Sequence, residues 1–314
     1  MIRVDRRWIF RYIRAMKSRR LSFNLELPPA YPAARVLGYL GRDPKSLTAR
    51  VDGESFAIAL WIGGVPSLLR VDLAPESARA CLEARTPLPA DAEIQARDQL
   101  WRLLGLNLDP APFEKQVSAS RKLAPLIAGR RGWRILQTPD AFDGLTWAIL
   151  GQQINLAFAF TLRRRLVERA GTPAPGGLFA PPRPAAVAAL EVEELATFQF
   201  SRRKAEYLTG VARRIVAGEL DLDRLATAPA EEVEAALLAV RGLGPWSAHY
   251  VMMRAFGFED CVPVGDSGLV RGLARFFSLA ERPDAATTRE LMRPFAPYRS
   301  WATFHLWQTL GDEA

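Results

Sequence analysis

Two short stretches hold the residues whose types and spacing could do chemistry. The first, "AVRGLGPWSAHY" (Ala239–Tyr250), sets Gly242 and Gly244 two residues apart and follows them with Pro245. One glycine is enough to end a helix and one proline to start the next. The second glycine is surplus to that job; with no Cβ, it lets another molecule approach the backbone closely. Main-chain N–H groups turned outward at a helix N-terminus form an anion site that suits a phosphate, and Leu243 between the glycines can anchor the turn in the core. A plain corner between two helices would use the same residues, so context must decide. The second stretch, "CVPVGDSGLVRGLARFF" (Cys261–Phe277), contains a Pro/Gly loop, Pro263 to Gly265, that delivers Asp266 to the start of a helix carrying Arg271 and Arg275. Asp266 can cap that helix or offer its carboxylate to a bound molecule. The two roles are compatible, because a helix N-terminus favours negative charge.

Composition narrows the chemistry. A chain of 314 residues, 49% hydrophobic and 24% charged, has enough apolar material for a real core and is long enough for two domains or lobes. The two cysteines, Cys81 and Cys261, exclude a disulfide framework and any four-cysteine zinc or iron–sulfur site. His249 and His305 are the only histidines and read as structural residues. No metal and no organic cofactor is expected. The net charge of +8 comes almost wholly from arginine, with lysine only at Lys17, Lys45, Lys115, Lys122 and Lys204. Such an excess favours a polyanion, either nucleic acid or an anionic membrane surface. Individual candidates for phosphate contact are Arg163, Arg164, Arg165, Arg202, Arg203, Arg271 and Arg275. No apolar run approaches the roughly 18 residues of a membrane span. Arginines interrupt the basic start "MIRVDRRWIFRYIRAMKSRR", which therefore has no signal-peptide core. A cytoplasmic protein is expected.

The elements that must position these residues fall into two regimes. "SFNLEL" alternates Phe23, Leu25 and Leu27 with polar residues; Leu47, Ala49 and Val51, then Phe56, Ile58, Leu60 and Ile62, then Leu69, Val71 and Leu73 continue the period of two. Asp52-Gly53 and Gly63-Gly64 stand between these runs as hairpin signals. Segments 76–85 and 93–105 read as helices, which predicts an antiparallel sheet with helices on one face, ending near Asp109-Pro110. Beyond 111 the spacing is helical over 140–151, 156–170, 202–217, 229–240, 245–256, 267–277, 288–295 and 298–310. Asn155, Ser201 and Thr227 read as N-caps, Thr287 and Glu290 as a capping box, and Gly171, Gly218, Gly257 and Gly311 as C-terminal glycines. "GTPAPGGLFAPPRPAA" (171–186) reads as the longest loop. The fold class is α+β.

With these motifs in this order, the chain resembles the helix-hairpin-helix (HhH-GPD) DNA glycosylases, and within them the 3-methyladenine DNA glycosylase II, or AlkA-type, branch. The resemblance rests on "GLGPWSAHY" (242–250), "WAILGQ" (147–152), "RSWATFHLW" (299–307) and "FNLELPPAY…LGYL" (23–40). It covers about residues 21–312 and leaves 1–20 as a basic extension. The resemblance implies an N-terminal antiparallel sheet domain over 21–110 and a two-lobed helical core. One lobe, 111–140 plus 259–314, would carry the aspartate; the other, 141–258, would carry the hairpin.

The same resemblance implies a monomeric enzyme, with no membrane partner and no cofactor, that acts on double-stranded DNA containing alkylated bases. Asp266 would be the catalytic carboxylate, stabilising a transition state that is positive at the sugar. The base would leave the stack for a pocket of Trp246, Tyr250 and Trp307, with Ser267 beside it, where aromatic faces attract a cationic alkylated purine. Arg241, Gly242, Leu243 and Gly244 would hold the DNA backbone, and the loop Gln152, Gln153 and Ile154 would fill the gap left by the base. The chain departs from the best-known members at Gln153, where they have leucine, and at Ser267, where they have tyrosine. Members that also cut the strand place a lysine at the position of Trp246. No lysine follows Lys204 here, and arginine stays protonated, so a monofunctional enzyme using water is implied. Two rivals stand beside this reading. A noncatalytic hairpin protein binding bent or damaged DNA would need neither Asp266 nor the aromatic set; a strand-cleaving oxidised-guanine glycosylase would need the missing lysine.

Overall fold

The alternating runs pair into one five-stranded sheet: β1 (Arg20–Glu26), β2 (Ala49–Asp52), β3 (Ser55–Ile62), β4 (Val65–Ala74) and β5 (Ser77–Ala84), in the order β1-β5-β4-β3-β2. The computed structural model describes residues 19–310; residues 1–18, most of the basic extension, and Gly311 lie outside the described residues. Every pairing is antiparallel, and the register sets Phe56 opposite Val71, Ile58 opposite Leu69, Leu69 opposite Leu82 and Phe23 opposite Ala80. That register places the large apolar residues of neighbouring strands on one face. Gly63 and Gly64, with φ of +53° and +81°, make the β3–β4 turn in the conformation that suits a tight hairpin.

Segment 76–85 holds strand β5, Ser77–Ala84, rather than the helix expected from its spacing. Ala78, Ala80, Leu82 and Ala84 are all buried, so the period is two; pairing with both β1 and β4 overrides local helix propensity. Two capping expectations also change. Asp284, not Thr287, caps the helix Ala285–Met292 by accepting from Thr287 N at 2.7 Å, which leaves no capping box. Thr227 caps nothing: the flanking helices begin after Asp221 and Pro229. Asp284, upstream of Thr287, and Pro229, downstream of Thr227, stand at the helix boundaries instead. Asn155 and Ser201 do cap, accepting from Phe158 N and Lys204 N.

The chain divides into two compact units, one holding residues up to Trp101 with Ile154–Val187, the other Arg102–Gln153 with the residues from Ala188 onward. In the first, the proline-rich stretch after Gly171 is not a free loop. Thr172–Pro173 pairs with Phe179–Ala180, and Ala174 and Leu178 bury the second face of the sheet against Ala57, Ala59 and Leu68. Arg50 and Arg85 donate to Gly176 O and Ala174 O, and Trp61 Nε1 donates to Pro181 O.

The second unit is helical. Its core includes the nearly all-buried helix Arg299–Gln308, with Trp301, Phe304 and Leu306 fully enclosed and Phe304 stacked on Trp133 at 5.5 Å. Two glycines set the helix spacing here. A Cβ at Gly272 would lie 2.8 Å from Leu306 O, so the helix Ser267–Phe276 approaches Arg299–Gln308 backbone to backbone. A Cβ at Gly144 would lie 2.8 Å from Ala255 Cβ, which fixes the helix Ala141–Leu150 against the segment Met252–Phe256. That segment is a π turn continuing the helix Pro245–Val251, and it ends at Gly257, φ +80°. Such turns are frequent beside functional sites.

Candidate active site

Asp266 sits at the N-cap of Ser267–Phe276, after a turn in which its own N–H donates to Pro263 O and Gly265 adopts φ +88°. Its Oδ1 accepts from Leu269 N at 2.6 Å and from Trp307 Nε1 at 2.8 Å; its Oδ2 accepts from Trp246 Nε1 at 2.9 Å. The carboxylate is therefore both a cap and a meeting point for two indoles from different helices. An ionised carboxylate offers about four acceptor positions. Three are used here, and the half-buried Asp266 keeps one, on Oδ2, that a water or substrate could take.

The aromatic residues form a continuous wall beside that oxygen. Trp246 and Tyr250 have ring centroids 5.8 Å apart, Tyr250 and Trp307 6.1 Å, and Phe304 meets Trp307 edge-on at 6.4 Å. Tyr250 is buried while Trp246 and Trp307 are half-buried, so the wall presents two partly open indoles around an enclosed phenol. Trp246 and Tyr250 meet because they lie four residues apart on one helix. Trp307 joins them because Gly272 lets its helix approach and because Gly268 leaves room: a Cβ there would lie 3.0 Å from both Trp307 Cδ1 and Asp266 Oδ1. The buried Arg254, with its guanidinium 6.0 Å from the Tyr250 ring and 5.7 Å from Phe304, donates to Leu136 O. Ser267 is exposed beside Asp266.

The hairpin has the form its glycines suggest. Gly242 has φ +96°, and a Cβ would fall well inside contact with the Tyr207 ring, so only glycine fits. Leu243 is buried as the anchor. Gly244 caps Pro245–Val251 with no side chain, and nothing stands within 4 Å of where its Cβ would be. The first helical N–H groups therefore open onto an unobstructed backbone. Arg241 is exposed and reaches Glu206 at 3.7 Å. His249 behaves as a structural residue, with Nε2 3.0 Å from Glu234 Oε1 and Nδ1 against the main chain of Val262, which ties the hairpin helix to the segment leading to Asp266.

The loop after Ala141–Leu150 is joined to the hairpin. Gln152 Nε2 donates to Gly242 O at 2.8 Å and contacts Ser247 Oγ at 3.1 Å, and a Cβ at Gly151 would lie 3.6 Å from Trp246 Cη2. Gln153 is exposed with φ +54°. Ile154 belongs to the other unit. Three of the candidate arginines have protein partners: Arg164 pairs with Asp43 at 2.7 Å, Arg202 with Glu206 at 3.1 Å, and Arg275 donates to Thr309 O. Sequence reasoning missed Lys204, Gly268 and the Gln152 tether. Lys204 is buried on three carbonyls at and just beyond a helix end far back in the chain, and nothing local in the sequence signals such a contact. Among the described residues, no cluster of three or more His, Cys, Asp and Glu side chains could hold a metal.

Comparison with known proteins identifies the arrangement. Residues 146–297 match the model of the HhH-GPD superfamily base excision DNA repair proteins. The chain is 29% identical over 295 residues to the DNA-3-methyladenine glycosylase of Bacillus subtilis, covering 91% of this chain and 96% of that one. It is 28% identical over 303 residues to DNA-3-methyladenine glycosylase 2 of Escherichia coli, covering 93% of this chain and all of that one (100%). Among solved structures, the 3-methyladenine DNA glycosylase of Archaeoglobus fulgidus superposes with a TM-score of 0.81 at 23% identity, covering 93% and 99% of the two chains. The hairpin, the aspartate turn and the aromatic wall all lie within the matched segment except Phe304 and Trp307, which follow it. Residues 146–297 belong to the HhH-GPD superfamily of base excision DNA repair proteins, and the chain along most of its length is similar to DNA-3-methyladenine glycosylases.

Proposed function

We propose that the protein is a monofunctional DNA glycosylase that extrudes alkylated bases from duplex DNA and releases them by hydrolysis, acting as a monomer. The observation that carries the reading is the convergence of Leu269 N and two indole N–H groups on Asp266, beside an aromatic wall. As the base departs, positive charge develops on the sugar, and a carboxylate already oriented by three donors stabilises it without having to reorganise. The free acceptor position on Oδ2 can hold the attacking water. The wall suits a flat cation: a 3-methyladenine-type lesion stacked on Trp246 or Trp307 gains about 0.5–2 kcal/mol per face.

The hairpin grips the backbone through N–H groups at Gly244 and the first turn. The loop at Gln152 and Gln153 occupies the gap left in the stack. Trp246 stands where strand-cleaving members carry lysine, so the product keeps its abasic site intact. With the exposed Ser267 in place of a tyrosine, the pocket walled by Trp246, Tyr250 and Trp307 gains no further ring at that position, and the enzyme accepts several alkylated bases. The noncatalytic alternative leaves the indole pair on Asp266 without a purpose.

The test is incubation with duplexes carrying different lesions, with detection of free base. Base release with strand breakage only after alkali is expected. Binding without release supports the noncatalytic reading, and a borohydride-trapped adduct would show strand cleavage by an amine.

A further inference from the structure

Lys204 is the one buried lysine among the described residues, and its ammonium donates to Ile149 O at 3.1 Å, Leu150 O at 2.8 Å and Gln152 O at 2.6 Å. The first two carbonyls end the helix Ala141–Leu150, where the last turn has no intrahelical donors. The third lies beyond the helix, in the peptide that leads into Gln153. An ammonium has three donors, and each has one acceptor here. Burial pushes the Lys204 ammonium down to about 8, so at neutral pH it still carries the three protons this arrangement uses.

The residue that follows needs to be held. Gln153 is exposed and has φ +54°, a region that side chains other than glycine seldom occupy. Its neighbour Gln152 reaches the hairpin at Gly242 O and Ser247 Oγ. The loop is thus fixed from below by Lys204 and from the side by the hairpin. We propose that Lys204 is a positioning residue for base extrusion, clamping the Gly151–Gln153 loop so that Gln153 enters the duplex at a set place relative to the hairpin. This rests on the reading of that loop as the gap filler. Lys204 itself touches no DNA in this scheme; it acts through three main-chain carbonyls.

The role separates two quantities that a general loss of stability would lower together. Binding to undamaged duplex uses the hairpin, whereas preference for a duplex with a gap uses the loop. The experiment compares wild type, Lys204→Met and Lys204→Arg on an undamaged duplex and on one carrying a tetrahydrofuran abasic analogue opposite 2-aminopurine, whose fluorescence reports what contacts the orphaned base. Wild type is expected to prefer the abasic duplex and to change the fluorescence. Lys204→Met is expected to bind undamaged duplex within about twofold of wild type while its abasic preference falls about tenfold and the fluorescence change is lost. Lys204→Arg keeps the buried charge but cannot aim separate donors at three carbonyls around one point. It is expected to fall between the other two, and it carries the test if the methionine variant does not fold. A folded variant of either kind with wild-type preference and fluorescence overturns the positioning role alone. No fluorescence change with wild type itself overturns the insertion of the loop, and the proposal with it.

Discussion

The hairpin and the aspartate turn are two solutions to the same local problem. Each is a short glycine-containing turn that launches a helix, at Gly244 in one case and Asp266 in the other. At Gly244 the cap position has no side chain, and the space before it is open. At Asp266 the cap position carries a carboxylate that satisfies Leu269 N and is held by two indoles. An empty cap leaves the helix end able to recruit an anion from outside. A filled cap carries its own anion and leaves that anion's remaining lone pair for something else. One residue type at one position therefore divides grip from chemistry.

Substitutions that make either turn resemble the other, or loosen its support, should separate the two roles. The largest effect is expected at Gly242. Gly242→Val puts a side chain into the Tyr207 ring at a positive φ, which should destabilise the protein by about 2–6 kcal/mol; thermal unfolding measures this, and an unchanged melting temperature would contradict the packing described. Next is Trp307→Phe, which keeps most of the ring and removes one N–H donor to Asp266. A hydrogen bond to a charged group contributes about 1.5–3 kcal/mol, so single-turnover base release should slow by about 10–100-fold while DNA binding changes little; an equal loss of both would mean that Trp307 is only packing.

A Cβ at Gly244 meets no atom within 4 Å, so Gly244→Val should fold normally, yet weaken duplex binding by about tenfold and make the salt dependence shallower by about one phosphate contact, a slope of ~0.9. Wild-type affinity and salt slope in this variant would remove the hairpin from the interface. The smallest effect is expected from Ser267→Tyr, which should leave the rate on 3-methyladenine within a few-fold and narrow the range of lesions released. An unchanged lesion profile would show that Ser267 does not set the range.

What the sequence made legible follows from how local each feature is. Asp266, Trp246, Tyr250 and Trp307 could be picked out because they belong to motifs, and the structure brings all four together. At Gly242 the position was legible but not its reason: the paired glycines read as room for another molecule, whereas Tyr207, remote in sequence, is what excludes a side chain there, and only Gly244 stands open. Strand β5 was not legible, because "ARACLEA" favours helix until two neighbouring strands compete for its backbone. The proline-rich stretch looked like loop because the surface it covers, Ala57, Ala59 and Leu68, is remote in sequence. Lys204 was hidden for the same reason, and Gly268 because its purpose is to make room for a tryptophan from the last helix.

The central claim is that Asp266 acts through its charge and not merely as a cap. Asp266→Asn tests it most directly, because an asparagine oxygen can still accept from Leu269 N and so preserve the helix start. The measurement is single-turnover release of free base from methylated duplex at saturating protein, alongside the melting temperature and the affinity for abasic duplex. The account predicts that release falls by at least about 10²–10³-fold, the scale of losing one main electrostatic stabiliser, while melting temperature and abasic affinity stay near those of wild type. Release within about threefold of wild type by the folded variant would contradict it.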